Sequence, residues 1–146
     1  MNTKTDFRRL ADLQARVEAI LWDYEPLRTL GGRWSAHALA DGTIELTGVV
    51  PTGLIKDAML ARVRSLPGAV RVVDRLIADP DLEVAVARAL AVDPRTRGLQ
   101  PGAVTVRSHH GRITLLGRLP AGASRQIVVA MAGAVPGVVE ILDQLK

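Results

Sequence analysis

Residues 42–48 read GTIELTG, and residues 111–117 read GRITLLG, 69 positions later. Many other positions recur at the same offset without a gap: Asp12-Leu13 with Asp81-Leu82, Val17 with Val86, Leu21 with Leu90, Pro67-Gly68 with Pro136-Gly137, and Asp74 with Asp143. Self-similarity at a fixed period indicates a repeated structural unit. The sequence therefore predicts two copies of one small module.

The order of hydrophobic periods predicts the architecture of each copy. In the first copy Leu13, Val17 and Leu21 recur at helical spacing, whereas Ile44 and Leu46 alternate with polar residues as in a half-buried strand. A second helical period and a final strand complete the order helix, strand, strand, helix, strand. We predict an α+β fold of two tandem αββαβ modules, each a three-stranded mixed sheet with two helices packed on one face.

The two modules are placed on either side of a short connection. The first module is assigned to residues 1–79, with its core at 12–77, and the second to residues 80–146, with its core at 81–146. Residues 78–80 (Ala-Asp-Pro) are expected to be a linker, too short for independent tumbling of the modules.

The first hairpin does not follow the repeat. In the second copy Val104 and Val106 take the inward phase, but the matching residues of the first copy are Ser35 and His37. Trp34, Ala36 and Ala38 alternate there in the opposite phase. Either a bulge or a one-residue change of register would reconcile the two hairpins.

The repeated glycines and prolines are interpreted as structural residues. Glycine permits positive φ in tight turns and close approach in a strand, and Pro-Gly ends a helix. The residues assigned to these roles are Gly42, Gly48, Pro67, Gly68, Gly111, Gly117, Pro136 and Gly137.

Composition indicates a folded chain and excludes several chemistries. With 48% hydrophobic and 23% charged residues, the chain lies in the range of globular proteins rather than disordered ones. Since it has no cysteine, disulfides, thiolate catalysis and cysteine-ligated metals are excluded.

Basic charge is concentrated in the second half. No acidic residue occurs between positions 94 and 139, a stretch that contains Arg95, Arg97, Arg107, Arg112, Arg118 and Arg125. Side chains alternate between the two faces of a strand. If Ile113 and Leu115 face the helices, Arg107, Arg112 and Arg118 are therefore expected to point outward on one sheet surface. Because the guanidinium fork suits phosphate, Arg107, Arg112, Arg118 and Arg125 are the candidate anion ligands. The alternative is that these arginines are ordinary solvated charges.

The whole pattern resembles the BON domain family. In the second copy the resemblance rests on Asp81, Leu82, Val86, Leu90, Gly111, Ile113, Leu115, Gly117, Ala130, Val135, Pro136, Gly137, Val138 and Leu145. It implies a bacterial αββαβ protein, often tandem, of a family associated with phospholipid membranes and with envelope or osmotic stress. The function expected from it is non-enzymatic binding of anionic phospholipid or a membrane surface, without a cofactor.

A second functional hypothesis starts from residues 124–135, which form a predicted helix with almost no polar face. A helix that is apolar all round is normally buried on more than one side. We therefore expect it to pack against the first module or another chain. Its candidate interface residues are Ile127, Val128, Val129 and Met131, which would serve a protein partner or a homo-oligomer.

Other chemistry finds little support. His109 and His110 are adjacent, so their side chains are expected to point apart, and no third ligand accompanies them; no metal site is predicted. Neither a nucleophile elbow nor a phosphate loop occurs, so no enzymatic activity is expected.

Nucleic acid ranks below lipid as a partner, because stacking aromatic residues are absent from the second copy. Trp22, Tyr24 and Trp34 of the first copy are interpreted as core or domain-contact residues, with interfacial membrane contact as the alternative.

The first 14 residues lack the apolar segment of a secretory signal, and no stretch has the roughly 18 apolar residues of a transmembrane helix. We expect a cytoplasmic location, or a periplasmic one if a signal has been removed.

Overall fold

The computed structural model describes residues 3–96, 98–99 and 102–146. The chain divides into two compact units, Met1–Ala78 and Asp79–Lys146.

Within residues 3–78, the first unit has three helices and three strands. They are α1 (Thr3–Trp22), α2 (Glu25–Leu30), β1 (Arg33–Ala38), β2 (Thr43–Val50), α3 (Gly53–Arg64) and β3 (Arg71–Ala78). Strand β2 lies in the middle of the sheet, antiparallel to β1 and parallel to β3. The short helix α2 is an addition to the predicted order.

The second unit repeats this arrangement with α4 (Asp79–Val92), β4 (Val104–His109), β5 (Arg112–Gly117), α5 (Arg125–Gly133) and β6 (Glu140–Leu145). Strand β5 is central, antiparallel to β4 and parallel to β6. The predicted α+β fold with two three-stranded mixed sheets is therefore confirmed. The predicted linker is wrong, because β3 ends at Ala78 and α4 begins at Asp79.

Each module has an aliphatic core between the helices and one face of the sheet. In α1 the residues Leu13, Val17 and Leu21 are buried at four-residue intervals and join a cluster with Ile44 and Leu46 of β2. Their counterparts in the second module are also buried: Leu82, Val86 and Leu90 of α4, with Ile113 and Leu115 of β5. These repeated apolar positions are thus core positions.

The two hairpins differ by one residue of register. Leu46 is paired with Ala36, whereas its counterpart Leu115 is paired with Val106. Between these paired residues the first hairpin is therefore one residue longer than the second. The register change, rather than a bulge, accounts for the shifted pattern. The second hairpin turns through His110 and Gly111, with φ of 53° and 82°, as a two-residue type I′ turn requires.

A buried carboxylate holds the second hairpin. Asp79 is 6% exposed and accepts hydrogen bonds from Ser108 Oγ (2.6 Å) and from the backbone N–H groups of His110 (2.9 Å) and Gly111 (3.1 Å). Glu83, one turn further along α4, accepts from the backbone N–H of Ser108 at 2.9 Å. The start of α4 is therefore fastened to the β4–β5 turn.

Close approach explains one pair of repeated glycines. Gly48 and Gly117 have φ of 119° and 129°. A Cβ atom there would lie 2.0 Å from the carbonyl oxygen of Arg33 and 2.1 Å from that of Ala103, respectively. With any other residue in place of Gly48 or Gly117, the neighbouring edge strand could not keep its present distance from the central strand.

Gly117→Ala is expected to lower the free energy of unfolding by about 2 kcal/mol or more, because a positive φ costs a side-chain-bearing residue about 1–3 kcal/mol before the clash is added. Gly53→Ala is the matched control, since a Cβ atom at that position would meet nothing within 4 Å and the φ of Gly53 is not positive. Thermal unfolding followed by circular dichroism measures both variants. Equal melting temperatures would contradict the steric explanation.

Asp79→Ala removes the acceptor of three donors and is expected to cost about 1–3 kcal/mol of stability, the penalty for leaving buried polar groups unpaired. Asp81→Ala controls for the loss of a charge in the first turn of α4, because Asp81 is exposed. Urea unfolding of the two variants compares them. A similar, small effect of both substitutions would show that the contacts of Asp79 are not important for stability.

Candidate anion-binding face

The outer face of the second sheet is the side turned away from α4 and α5. Ile113 and Leu115 are fully buried on the helix side, so alternation places Arg112 and Thr114 on the outer side of β5. Arg107 of β4 is exposed and is paired in register with Thr114. The structure therefore brings Arg107 and Arg112 to the same face.

Arg112 already has an anionic partner. Its Nε donates to Glu140 Oε2 at 2.8 Å, across the parallel pair in which Arg112 and Glu140 are in register. The two side chains are 45% and 48% exposed, so the ion pair is solvated and of modest strength. A new anion would have to compete with Glu140 for this guanidinium.

Arg107 and Arg118 have no such partner. Within residues 3–96, 98–99 and 102–146, no carboxylate forms an ion pair with either side chain, and both residues are exposed. Arg118 follows Gly117, where β5 ends. The backbone N–H of Lys146 donates to the carbonyl oxygen of Gly117 (2.8 Å), and that of Leu119 donates to the carbonyl oxygen of Lys146 (2.9 Å). These bonds continue the pairing past Arg118, which therefore lies at the end of the same sheet as Arg107.

Arg125 is occupied by contacts within the module. At the start of α5, its Nη2 donates to the carbonyl oxygen of Leu145 at 2.6 Å, and its Nη1 lies 3.8 Å from Asp143 Oδ2. The same position of the first module holds Lys56, whose Nζ lies 3.4 Å from Asp74 Oδ2. The repetition of this pair assigns Arg125 to the attachment of α5 to β6.

Arg95 also has a carboxylate partner. Its Nε and Nη2 donate to the two oxygens of Asp93 at 3.0 and 3.2 Å. These side-chain hydrogen bonds, together with the backbone N–H of Arg95, lower the pKa of Asp93 below its ordinary value. Arg97 lies outside the described residues.

The two histidines were expected to point apart, and this is wrong. The rings of His109 and His110 stack with centroids 4.0 Å apart and planes 21° apart. The positive φ of His110 in the turn is the reason, because strand alternation does not extend to that residue. Among the described residues, no three His, Cys, Asp or Glu side chains are grouped so that they could hold a metal ion.

Helix α5 is covered largely by its own module. Ser124 caps it by accepting from the backbone N–H of Ile127, and the helix contacts α4 and β6. Val128 is only 1% exposed, so it is a core residue rather than a contact for a partner. Ile127, Val129 and Met131 are half-buried. A contact of Ile127, Val129 and Met131 with a partner therefore stays a prediction.

Sequence reasoning missed the acidic residues that organise this module. Asp79 was interpreted as part of a linker, and neither Glu140 nor Asp143 was predicted to be a partner of Arg112 or Arg125. The equivalence of Asp74 and Asp143 in the repeat was the available signal for the second pair. No signal in the sequence indicated the register that brings Glu140 beside Arg112.

No helix among the described residues is both long and apolar enough to span a bilayer.

Comparison with curated proteins yields no match. Two solved structures of CdsD, a structural protein of the type III secretion system of Chlamydia trachomatis, are similar with a TM-score of 0.40. One is 15% identical and covers 92% of this chain and 91% of its own; the other, the C-terminal domain, is 14% identical and covers 92% and 96%.

A family comparison agrees with the pattern of buried residues and turns described above. Residues 78–146 match the model of the BON domain. The match begins at the end of β3 and includes every helix and strand of the second module. The matched residues are therefore those of the second module.

Proposed function

We propose that the second module of this chain binds anionic phospholipid surfaces through Arg107 and Arg118. The observation that supports this most directly is the exposure of both side chains without a carboxylate partner among the described residues. Each basic residue near an anionic membrane contributes about 1 kcal/mol to binding. Arg112 adds less, because Glu140 already neutralises part of its charge.

The spacing of the two arginines favours an extended surface over a single small anion. Arg107 is in register with Thr114, four residues before Arg118. At a rise of about 3.3 Å per residue, their backbone positions are about 13 Å apart along the sheet. Two separate phosphate groups therefore satisfy this arrangement better than one.

Replacing Arg107 and Arg118 together by Ser is expected to weaken binding to anionic vesicles about 30-fold, the equivalent of about 2 kcal/mol. Arg8→Ser with Arg64→Ser is the matched control, because it removes the same charge from exposed positions of the first module. Co-sedimentation with vesicles, with and without anionic lipid, measures the effect. Equal losses in the two double variants, or equal binding to both kinds of vesicle, would contradict the proposal.

Glu140→Gln is expected to strengthen binding to anionic vesicles about fivefold at low salt, because it frees the guanidinium of Arg112 on the outer face. Asp57→Asn makes the same change of charge at an exposed position of the first module and serves as the control. Since exposed charges are screened by salt, the gain should shrink as ionic strength rises. A gain of the same size in both variants would indicate a net-charge effect only.

A further inference from the structure

The first module has a groove of about 340 Å³ between α1 and the edge strand β1. One wall consists of Gln14, Glu18 and Trp22, which follow each other at four-residue intervals along α1. The opposite wall includes Trp34 and Ala36 of β1. The groove lies wholly within this module.

Both ends of the groove are held by contacts. At one end the side-chain amide of Gln14 donates to the carbonyl oxygen of Ala36 (2.8 Å) and accepts from the backbone N–H of Ala38 (2.7 Å). At the other end Trp22 and Trp34 touch, with ring centroids 5.4 Å apart and planes tilted by 49°. The walls are therefore in place before a ligand arrives.

The groups that face the groove attract positive charge. Glu18 is the acid among the lining residues, and His37 is the basic side chain there, since neither lysine nor arginine lines the groove. Its Oε1 accepts from Gln14 Nε2 at 2.9 Å, while no donor among the described residues bonds to Oε2. The faces of tryptophan rings also attract cations. A carboxylate beside two indoles is a suitable environment for an organic cation.

The backbone of β1 supplies a further acceptor. The carbonyl of Ala36 points away from β2, toward Gln14, and that of Arg33 points toward Gly48 of β2. Because successive carbonyl groups of a strand point toward opposite edges of that strand, the carbonyl of Trp34, like that of Ala36, points away from β2. It can accept a hydrogen bond from the N–H groups of a lysine or arginine side chain, which a quaternary ammonium group lacks.

The second module shows that the fold does not need these side chains. At the repeat offset, Ala87 and Ala91 occupy the places of Glu18 and Trp22. The strand position of Trp34, which pairs with Gly48, is taken by Val104, which pairs with Gly117. The place of Gln14 is kept by Glu83, which makes the same contact with the edge strand. Trp22 is 52% exposed, so its large ring adds little to the core. The lining is thus a specific property of the first module.

We propose that this groove binds the basic side chain of a lysine or arginine in a partner polypeptide. The cation lies against the indole of Trp22 and the carboxylate of Glu18, and it donates N–H groups to Glu18 and to the carbonyl of Trp34. The proposal does not depend on lipid binding by the other module.

The chain has only two tryptophans, and both line the groove, so tryptophan fluorescence reports on this site alone. We expect Nα-acetyl-arginine methylamide to produce a saturable change in the fluorescence of the full chain. The citrulline analogue, which has the same shape without the charge, should produce none. No saturable change with the arginine compound, or equal changes with both compounds, would overturn the proposal.

Two variants locate the binding. Glu18→Gln is expected to weaken binding of the arginine compound about fivefold, the loss of one charge contact in a wet environment, whereas Asp57→Asn should leave it unchanged. Trp22→Ala, which introduces the residue of the second module, should also weaken binding, with Trp34 as the remaining reporter. Equal affinities of Glu18→Gln and Asp57→Asn would overturn the proposal. So would a fluorescence shift with phosphatidylcholine vesicles but not with the arginine compound, because it would assign the groove to lipid.

Discussion

The central strand of each sheet is the constraint on which the rest of the structure depends. Ile44 and Leu46 of β2, and Ile113 and Leu115 of β5, are completely buried beneath the helices of their own module. Burying a side chain of this size contributes about 1.5–3 kcal/mol. Because the helices cover only one face, the other face and the edge strands β1 and β4 are left for other roles. Both candidate sites use these remaining surfaces.

The two modules share a core but not a surface. Glu18 and Trp22 correspond to alanines in the second module and Trp34 corresponds to Val104, whereas Arg112 and Arg118 correspond to Thr43 and Val49 in the first. Thr43 and Val49 are buried, so an arginine face has no counterpart there. The two modules thus keep the same core residues, whereas the residues around the core differ. We therefore assign the two proposed binding surfaces to different modules.

Ion pairing reduces the basic character that the linear sequence suggests. The acid-free stretch between residues 94 and 139 is flanked by Asp93 on one side and by Glu140 and Asp143 on the other. Each of these three carboxylates lies beside an arginine from within the stretch: Arg95, Arg112 and Arg125, respectively. Only Arg107 and Arg118 of the four candidate ligands have no carboxylate partner among the described residues. Spatial pairing, rather than composition, decides which arginines are available.

The sequence by itself determined the duplicated architecture, because the periods of buried residues in helices and strands are local and recur at one offset. Leu13, Val17, Ile44 and Leu46 each have a buried counterpart, as the alternation required. The tertiary structure alone decided the first hairpin register, the role of Asp79, and the partner of Arg112. These depend on contacts between residues far apart in the chain, such as Arg112 with Glu140, which no local period encodes. The aromatic groove likewise exists only because packing of α1 on the sheet brings Trp22 against Trp34.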